Sequence, residues 1–239
     1  MTLLEPFLPS PGLIAWLLPA AVVYAGLAAL LAAYLRTRVG VRTPYTRKIF
    51  HFSIFTAAGL LQIAQGLPAV VIFGSVTSVM VLYAVWRGAS FPFYEAMARP
   101  SDAPRRTLFI LIPLVTTALG GVVANLAFPA WAFVGYLVCG WGDAVGEPVG
   151  TRWGRHRYRV PSMLGVPSTR SLEGSLAVFL AGTAATAVAL ALMGFPATQV
   201  ALIAGGAGLA GALVEAVSTH GLDNFTVQVA AAAAAAWLG

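Results

Sequence analysis

Long apolar runs alternate with short polar segments along the whole chain. Eight of these runs can each be read as a transmembrane helix, since about 20 apolar residues are needed to cross a bilayer. They cover residues 13–35, 49–65, 68–86, 107–127, 130–149, 172–194, 198–217 and 224–239. The pattern therefore predicts an all-α, polytopic membrane bundle of about eight transmembrane helices. The number is seven if one of the two short runs, the second or the last, does not cross.

The polar segments predict the orientation of this bundle. All 14 lysine and arginine residues fall within residues 36–48, 87–106 and 150–171. Basic residues in short loops mark the cytoplasmic side, so these segments and residues 218–223 are predicted to be cytoplasmic, with both termini outside. We expect residues 1–239 to form a single transmembrane domain in the cytoplasmic (inner) membrane of a prokaryote.

Composition supports a membrane protein and excludes several other classes. Of 239 residues, 59% are hydrophobic and 9% are charged, whereas a soluble domain carries about a quarter charged residues. The net charge of +6 comes mainly from the basic loop residues that orient the protein in the membrane, and these residues also attract anionic lipid. Nucleic-acid binding is not expected, because no soluble domain presents a basic patch. The lone Cys139 rules out a disulfide framework.

Two carboxylates stand together at the predicted cytoplasmic end of the fifth run. Asp143 and Glu147 are four residues apart and so share one helix face. Like charges on one face need a cation nearby, and hard oxygen ligands suit Mg²⁺. Pairing with arginines of residues 150–171 is the alternative. Gly146 and Gly150 lie on the same stretch and allow another backbone or a ligand to approach closely.

Two further acids flank the turn between the last two runs. Glu215 lies in the last turn of its helix, where a negative charge is unfavourable with the helix dipole. A partner cation is therefore expected, either an arginine or a metal ion. Asp223 can be explained as a helix N-cap.

The entry to the sixth run contains the segment 168–175, with Arg170, Ser171 and Glu173. Ser171 is a candidate N-cap, and an acid in the first turn is common. The same helix N-terminus offers free N–H groups that bind phosphate, and Arg170 would add a planar, charged fork. The segment alone leaves capping and phosphate binding open.

Arg47, Lys48 and His51 lie near the start of the second run. The two basic residues can be explained as anchors at the membrane interface. His51 lies about one turn further along, where it can bond a neighbouring helix or contact a ligand phosphate.

Taken in order, four motifs resemble one known family, the CTP-dependent polyprenol kinases. This family includes the phytol, farnesol and dolichol kinases and the yeast-type CTP-dependent diacylglycerol kinase. The resemblance covers about residues 42–230, and no single motif is specific. The motifs are Arg47-Lys48-x-x-His51, Gly142-Asp143-x-x-Gly146-x-x-x-Gly150, Arg170-Ser-x-Glu173-Gly-Ser175, and Glu215 followed by Asp223-Asn224-x-Thr226.

The resemblance implies transfer of the γ-phosphate of CTP to the hydroxyl of a membrane lipid alcohol, with Mg²⁺, at the cytoplasmic face. It implies Asp143 and His51 as catalytic residues. Nucleotide and phosphate contacts are assigned to Arg47, Lys48, Gly146, Gly150, Arg152, Arg170, Ser171, Glu173, Gly174 and Ser175. The implied metal ligands are Asp143, Glu147, Glu215, Asp223 and Asn224. The family often has lysine at Arg170 and a further acid at Leu222, and the loss of that acid weakens a two-metal interpretation.

Two other functions remain as alternatives. A CTP-dependent cytidylyltransferase would attack the α-phosphate and make a CDP-lipid. An ion-coupled small-solute transporter would use the intramembrane acids as its ion path, although most polar residues stay near one membrane face. No Gly-x-x-x-x-Gly-Lys-Ser/Thr loop is present, which excludes a P-loop kinase. The sequence leaves the acceptor alcohol, the catalytic base, the number of metal ions and the oligomeric state open.

Overall fold

The computed structural model describes residues 7–163, 165–219 and 221–239, with only the backbone of Pro167. Within these ranges the chain is almost entirely helical, with one β-hairpin. The helices are α1 Pro11–Thr37, α2 Thr43–Gln65, α3 Leu67–Arg87, α4 Pro92–Met97, α5 Leu108–Ala127, α6 Ala132–Leu137, α7 Asp143–Trp153, α8 Leu172–Leu192, α9 Ala197–Val217 and α10 Asp223–Leu238. The strands are β1 Arg157–Met163 and β2 Val166–Ser171.

Each of the eight apolar runs forms helix, as the hydrophobic pattern predicted. Within the described ranges, α1, α3, α5, α8 and α9 are long and apolar enough to cross a membrane. The count of eight spans is not confirmed. The fifth run is divided into α6 and α7 by a π-helical turn, Val138–Gly142. With its 16 residues, α10 is about 24 Å long, shorter than the roughly 30 Å hydrocarbon core.

The second helix begins earlier than predicted. It starts at Thr43 rather than near residue 49, and Pro44 stands at one of its first positions, where proline fits the helix. Arg47 and Lys48 consequently lie inside α2, where both are buried, with 8% and 5% of their surface exposed. An interface anchor keeps its charged end in water, so this explanation of the two residues does not fit.

The chain divides into two compact units, and the first ends at Leu114. In this unit α1 packs against α2, α3 and α4 through a row of small residues that includes Ala28 and Ala32. Small residues let helices approach closely where lipid offers no hydrophobic driving force. Thr43 and Thr46 donate hydrogen bonds to the backbone carbonyls of Glu95 and Ala96, which fixes the short α4 against α2.

The second unit comprises Val115–Gly239. Helix α8 packs against α7 and α9, and α10 packs against α9 and α6. Glycines on α7 and α8 allow the two helices to pack closely. A methyl group at Gly146 would lie 3.2 Å from the Gly174 carbonyl oxygen, and one at Gly174 would lie 3.1 Å from the Gly146 carbonyl oxygen. The glycine stripe of the fifth run therefore serves close backbone packing, one of the two roles expected for it.

The hairpin β1–β2 lies within the polar segment 150–171 and was not predicted. Its strands are antiparallel, with Tyr158 opposite Arg170 and Arg159 opposite Thr169. Directly opposed residues share one face of a hairpin, so Tyr158 and Arg170 lie on the same face. The Tyr158 hydroxyl is 2.9 Å from Ser175 Oγ, which attaches this face to α8.

Candidate functional site

Three buried carboxylates converge in the second unit. Asp143 begins α7, Glu215 lies in the last turn of α9, and Asp223 begins α10. One oxygen of each lies within 4.8 Å of one oxygen of the other two. No more than 6% of any of the three residues is exposed. Residues from three helices, far apart in sequence, thus form one acidic cluster, which is called the acid cluster below.

The position of Asp143 depends on the π-helical turn just before it. A π turn inserts an extra residue into a helix, and such turns occur frequently at functional sites. The turn also carries Val138, which packs where α8 and α9 lack side chains. A methyl group at Gly182 would lie 3.1 Å from Val138 Cγ1. This packing holds the start of α7 against its neighbouring helices.

A tight turn between α9 and α10 positions Asp223. Gly221 has a φ of +92°, a conformation that glycine adopts at no steric cost. Its N–H donates to Asp223 Oδ1 at 3.1 Å, and the N–H of Asn224 donates to the same oxygen at 3.0 Å. The Thr116 hydroxyl donates to the Gly221 carbonyl at 2.5 Å, which attaches the turn to α5.

Arg170 contacts the acid cluster from β2. Its Nη1 forms an ion pair with Glu215 Oε1, and its Nη2 lies 2.8 Å from Asp223 Oδ2. Burial would lower the pKa of Arg170, but Asp223 outweighs this effect, with Asp143 and Glu147 adding to it, and the pKa is raised. Arg170 therefore remains charged. Arg170 is therefore a cation partner of Glu215, of one of the two kinds, arginine or metal ion, that the sequence left open.

One carboxylate oxygen of the cluster lacks a partner. Glu215 Oε2 is buried and accepts no hydrogen bond from any residue that the structure describes. A buried, charged oxygen without a partner is energetically costly, which indicates a ligand that completes it. Carboxylate oxygens grouped in this way are the donors that Mg²⁺ takes in proteins.

Two other predicted metal ligands lie beside the cluster. Asn224 is buried, and its Nδ2 donates to Thr117 Oγ1 at 2.8 Å. Cys139 Sγ lies 3.9 Å from Asn224 Oδ1. Glu147 lies one turn beyond Asp143 on α7 and is partly buried. Glu147 is not among the residues that contribute to the group of three oxygens.

The predicted phosphate-binding residues at the start of α8 have partners within the protein. Ser171 is the N-cap, and its Oγ accepts the Gly174 N–H at 3.1 Å. Glu173 Oε1 lies 2.7 Å from His156 Nδ1, and Ser175 Oγ contacts Tyr158. The capping role expected for Ser171 is confirmed. The phosphate-binding roles of Ser171, Glu173, Gly174 and Ser175, like those of Gly146 and Gly150, stay predictions.

Several arginines near the hairpin are exposed. Arg152 lies in the last turn of α7 with its guanidinium 5.1 Å from the Trp153 ring centre. Arg155, Arg157 and Arg159 are also exposed. The register places Arg157 and Arg159 on the hairpin face opposite to Arg170. The hairpin thus separates one buried arginine from a group of solvent-accessible ones.

The remaining site candidates lie on α2 in the first unit. Arg47 and Lys48 are buried. His51 is partly buried and stacks on Phe55, with ring centres 4.2 Å apart and planes 25° apart. The catalytic role of His51 and the phosphate contacts of Arg47 and Lys48 stay predictions.

Sequence reasoning missed a row of buried polar residues on α10, which begins at the acid cluster, and a further buried polar residue on α5. Gln228 is fully buried, and its Nε2 donates to the Asn224 carbonyl and, at 3.3 Å, to the Thr117 carbonyl. On α5, Asn125 Nδ2 lies 2.9 Å from the Tyr136 hydroxyl. One signal in the sequence could have revealed the part of this row on α10. Gln228 stands about one helical turn after Asp223 and Asn224, which predicts that the three side chains lie near one another.

Comparison with known proteins gives one informative match. The chain is 34% identical over 223 residues to the phytol kinase of Synechocystis sp., a match that covers 92% of this chain and 89% of that protein. No protein-family model matches the chain, and no solved structure matches it. The aligned region includes nearly all of both proteins. The chain therefore belongs to the polyprenol kinase family, which includes phytol kinase.

Proposed function

We propose that this protein is a CTP-dependent lipid-alcohol kinase of the membrane. It would transfer the γ-phosphate of CTP to the hydroxyl of a prenol of the phytol, farnesol, geranylgeraniol or dolichol type at the cytoplasmic face. The observation that carries this proposal is the acid cluster, which three helices build inside a protein of the polyprenol kinase family. Phosphoryl transfer needs positioning and charge stabilisation, and a buried cluster of this kind serves both.

The acid cluster fits a Mg²⁺ ion. Asp143, Glu215 and Asp223 offer three hard oxygen donors, and Glu215 Oε2 is a buried oxygen without a partner among the described residues. Mg²⁺ is usually held by one or two carboxylates together with substrate phosphates and water. When bound, it would neutralise charge on the phosphate oxygens. Glu147 and Asn224 would orient the ion's water or phosphate ligands from beside the cluster.

The exposed arginines supply the charge that a triphosphate needs. We assign the phosphates of CTP to Arg152 and its neighbours Arg155, Arg157 and Arg159, because arginine forks bind phosphate oxygens in pairs. These side chains lie outside the acid cluster and are solvent-accessible, which suits a water-soluble nucleotide.

The acceptor alcohol would reach the site from the bilayer. Helix α8 exposes Leu172, Leu176 and Leu180 along its length, which gives a lipid-facing surface that starts at the level of the hairpin. Within the second unit, the Asp143 carboxylate is the group that would accept the hydroxyl proton. The catalytic role of His51 stays a prediction from the sequence. In this scheme the prenyl chain stays in lipid while only its hydroxyl enters the polar region.

A labelling experiment with purified protein in nanodiscs tests the proposal. The protein is supplied with Mg²⁺, phytol, farnesol, dolichol and diacylglycerol, and with CTP labelled at the γ- or the α-phosphate. We expect the γ-label alone to enter lipid, in a prenyl monophosphate. Appearance of the α-label in a CDP-lipid would favour a cytidylyltransferase. If neither label enters any lipid, the kinase assignment fails, and ion-coupled transport becomes the function to test.

A further inference from the structure

The carboxylate of Glu173, in the first turn of α8, binds the chain that joins α7 to β1. The backbone N–H of His156 donates to both carboxylate oxygens, at 3.2 and 3.3 Å. The His156 ring adds a further contact, with Nδ1 2.7 Å from Glu173 Oε1. Hydrogen bonds from N–H groups to a carboxylate are stronger than those between neutral groups. Glu173 therefore connects α8 to a segment that precedes it in sequence by 17 residues.

The segment that Glu173 binds, residues 154–157, is called the arginine turn below. Its backbone also contacts the start of α8 directly, since the Leu172 N–H donates to the His156 carbonyl at 3.1 Å. At Gly154 a methyl group would lie 2.7 Å from Ser171 Oγ, so the turn comes as close to α8 as a glycine permits. Among these contacts, those of Glu173 are the ones that a side-chain substitution can remove without changing the turn itself.

The arginine turn sets the positions of arginines that are assigned to the triphosphate. Arg155 lies within the turn, and Arg157 begins β1, and both are exposed. The Arg157 Nε donates to the Gly154 carbonyl at 3.0 Å, so the turn backbone also orients this guanidinium. Holding such side chains in place before a ligand arrives lowers the entropic cost of binding. A loss of order in the turn should therefore weaken binding of an anionic nucleotide.

The contacts of Glu173 do not suit a residue that binds the nucleotide directly. Its oxygens already accept hydrogen bonds from His156, and a carboxylate repels phosphate oxygens of like charge. A bridging cation would remove this repulsion, but Glu173 is not among the described acids that form the acid cluster. The geometry favours a residue that acts on the protein backbone.

We propose that Glu173 is a positioning residue, which holds the arginine turn in the shape that binds the phosphates of CTP. This role rests on the proposed function, because it takes the exposed arginines as the phosphate contacts. It replaces the direct nucleotide contact that the family resemblance implied for Glu173.

Hydrogen exchange and CTP binding, both measured on purified protein in nanodiscs, test the proposal. Glu173→Ala removes every carboxylate contact, so amide exchange in the peptide 154–163 should become at least about tenfold faster. The dissociation constant of labelled CTP, measured by equilibrium dialysis with Mg²⁺ and no lipid alcohol, should rise at least about tenfold. Glu173→Gln keeps one acceptor oxygen, so both values should fall between those of the wild type and Glu173→Ala.

Two control variants separate this role from a general loss of stability. Glu95→Ala removes a carboxylate with the same 27% side-chain exposure, which pairs with Arg106 in the first unit. It should leave exchange in the arginine turn and CTP affinity unchanged. His156→Ala keeps the backbone N–H and deletes a ring contact that is 73% exposed, so CTP affinity should change by less than about threefold. If Glu173→Ala does not fold, Glu173→Gln provides the decisive values.

Three results would overturn the inference. Unchanged exchange in the arginine turn of Glu173→Ala would show that the carboxylate does not hold it. A CTP affinity within about twofold of the wild type would leave Glu173 a structural role only. Tighter CTP binding would show that the carboxylate competes with phosphate instead of preparing its site.

Transfer of the γ-label, measured on the same samples, distinguishes failure of the inference from failure of the proposed function. Normal transfer by the wild type with unchanged CTP affinity in Glu173→Ala rejects the inference alone. The expected changes in exchange and CTP affinity, without transfer to any lipid alcohol by the wild type, reject the proposed function alone. Absence of CTP binding to the wild type would overturn both.

Discussion

Two regions of the molecule bring acids and arginines together, and they differ in how the carboxylates are paired. In the first unit, Glu95 lies 2.8 Å from Arg106 and Asp102 lies 3.1 Å from Arg99. Each of these carboxylates pairs with a different arginine, and the pair of Glu95 with Arg106 joins α4 to the segment that follows it. In the acid cluster, one arginine contacts both Glu215 and Asp223, and Glu215 Oε2 accepts no hydrogen bond from any residue that the structure describes.

The difference shows how a structural ion pair can be told from a functional one. A pair matched one to one needs nothing further, and it contributes modestly to stability. A buried carboxylate oxygen that accepts no hydrogen bond from the described residues, such as Glu215 Oε2, is energetically costly until a ligand completes it. Such an oxygen is therefore a better guide to a ligand site than the presence of charge alone.

The largest expected contrast concerns the membrane face to which the polar segments of each unit are predicted to belong. Ser101, beside Asp102, and Ser162, in β1, are exposed, and the native Cys139 is buried. Cysteines introduced at these two positions should resist impermeant thiol reagents in intact cells and react after the cells are opened, because all basic segments are predicted to be cytoplasmic. Labelling of both cysteines from outside intact cells would contradict the proposal, because the site would then face away from the cytoplasm, where CTP is found.

The next largest effect is expected for Asp143→Asn, which keeps the side-chain shape and deletes the charge. If Asp143 holds Mg²⁺, turnover per folded molecule should fall roughly a thousandfold. The matched control is Asp102→Asn, since Asp102 is equally buried but paired with Arg99. The control should lose stability and keep its turnover within about tenfold. Similar losses of turnover in the two variants would contradict the claim that Asp143 acts in catalysis whereas Asp102 acts only in structure.

A smaller effect is expected when a substitution pushes α7, the helix that begins with Asp143, away from α8 without a change in charge. Gly146→Ala places a methyl group against Val178 and 3.2 Å from the Gly174 carbonyl oxygen, so the free energy of unfolding should fall by about 1–3 kcal/mol. Gly74→Ala in α3 is the control, because a methyl group there meets nothing within 4 Å. It should gain up to about 1 kcal/mol from helix propensity. Chemical unfolding in detergent measures both, and equal values would argue against tight packing of α7 on α8.

The smallest effect is expected for Glu95→Gln in the first unit. Glu95 retains 27% side-chain exposure in its pair with Arg106, so water screens the interaction. The loss of stability should be about 1 kcal/mol, with turnover per folded molecule nearly unchanged. Thermal unfolding and the label-transfer assay provide the two values. A hundredfold loss of turnover would show that this pair belongs to the active site.

The sequence predicted the helices well because apolar length and proline-containing turns are local signals. It also identified the three acids of the cluster, because a charged side chain at the end of a membrane helix is energetically costly and therefore indicates a function. It did not predict the hairpin, because the polar–apolar alternation in β1 covers only residues 157–160 and each strand contains a proline. The pairing of Arg170 with Glu215 and Asp223 depends on the strand register and on the packing of α9 against α10, and neither is encoded locally. Gln228 was missed because a single glutamine between two valines is a weak signal, although its spacing from Asp223 and Asn224 was available.

The most direct test of the central claim is a crystal structure with Mn²⁺ and a non-hydrolysable CTP analogue, measured at the manganese absorption edge. We expect an anomalous peak in the acid cluster, about 2.1 Å from oxygens of Asp143 and Glu215, with Arg170 still paired to Asp223. A manganese peak bound only to the nucleotide and remote from the three carboxylates would contradict the account. So would an acid cluster without any peak beside a fully occupied nucleotide.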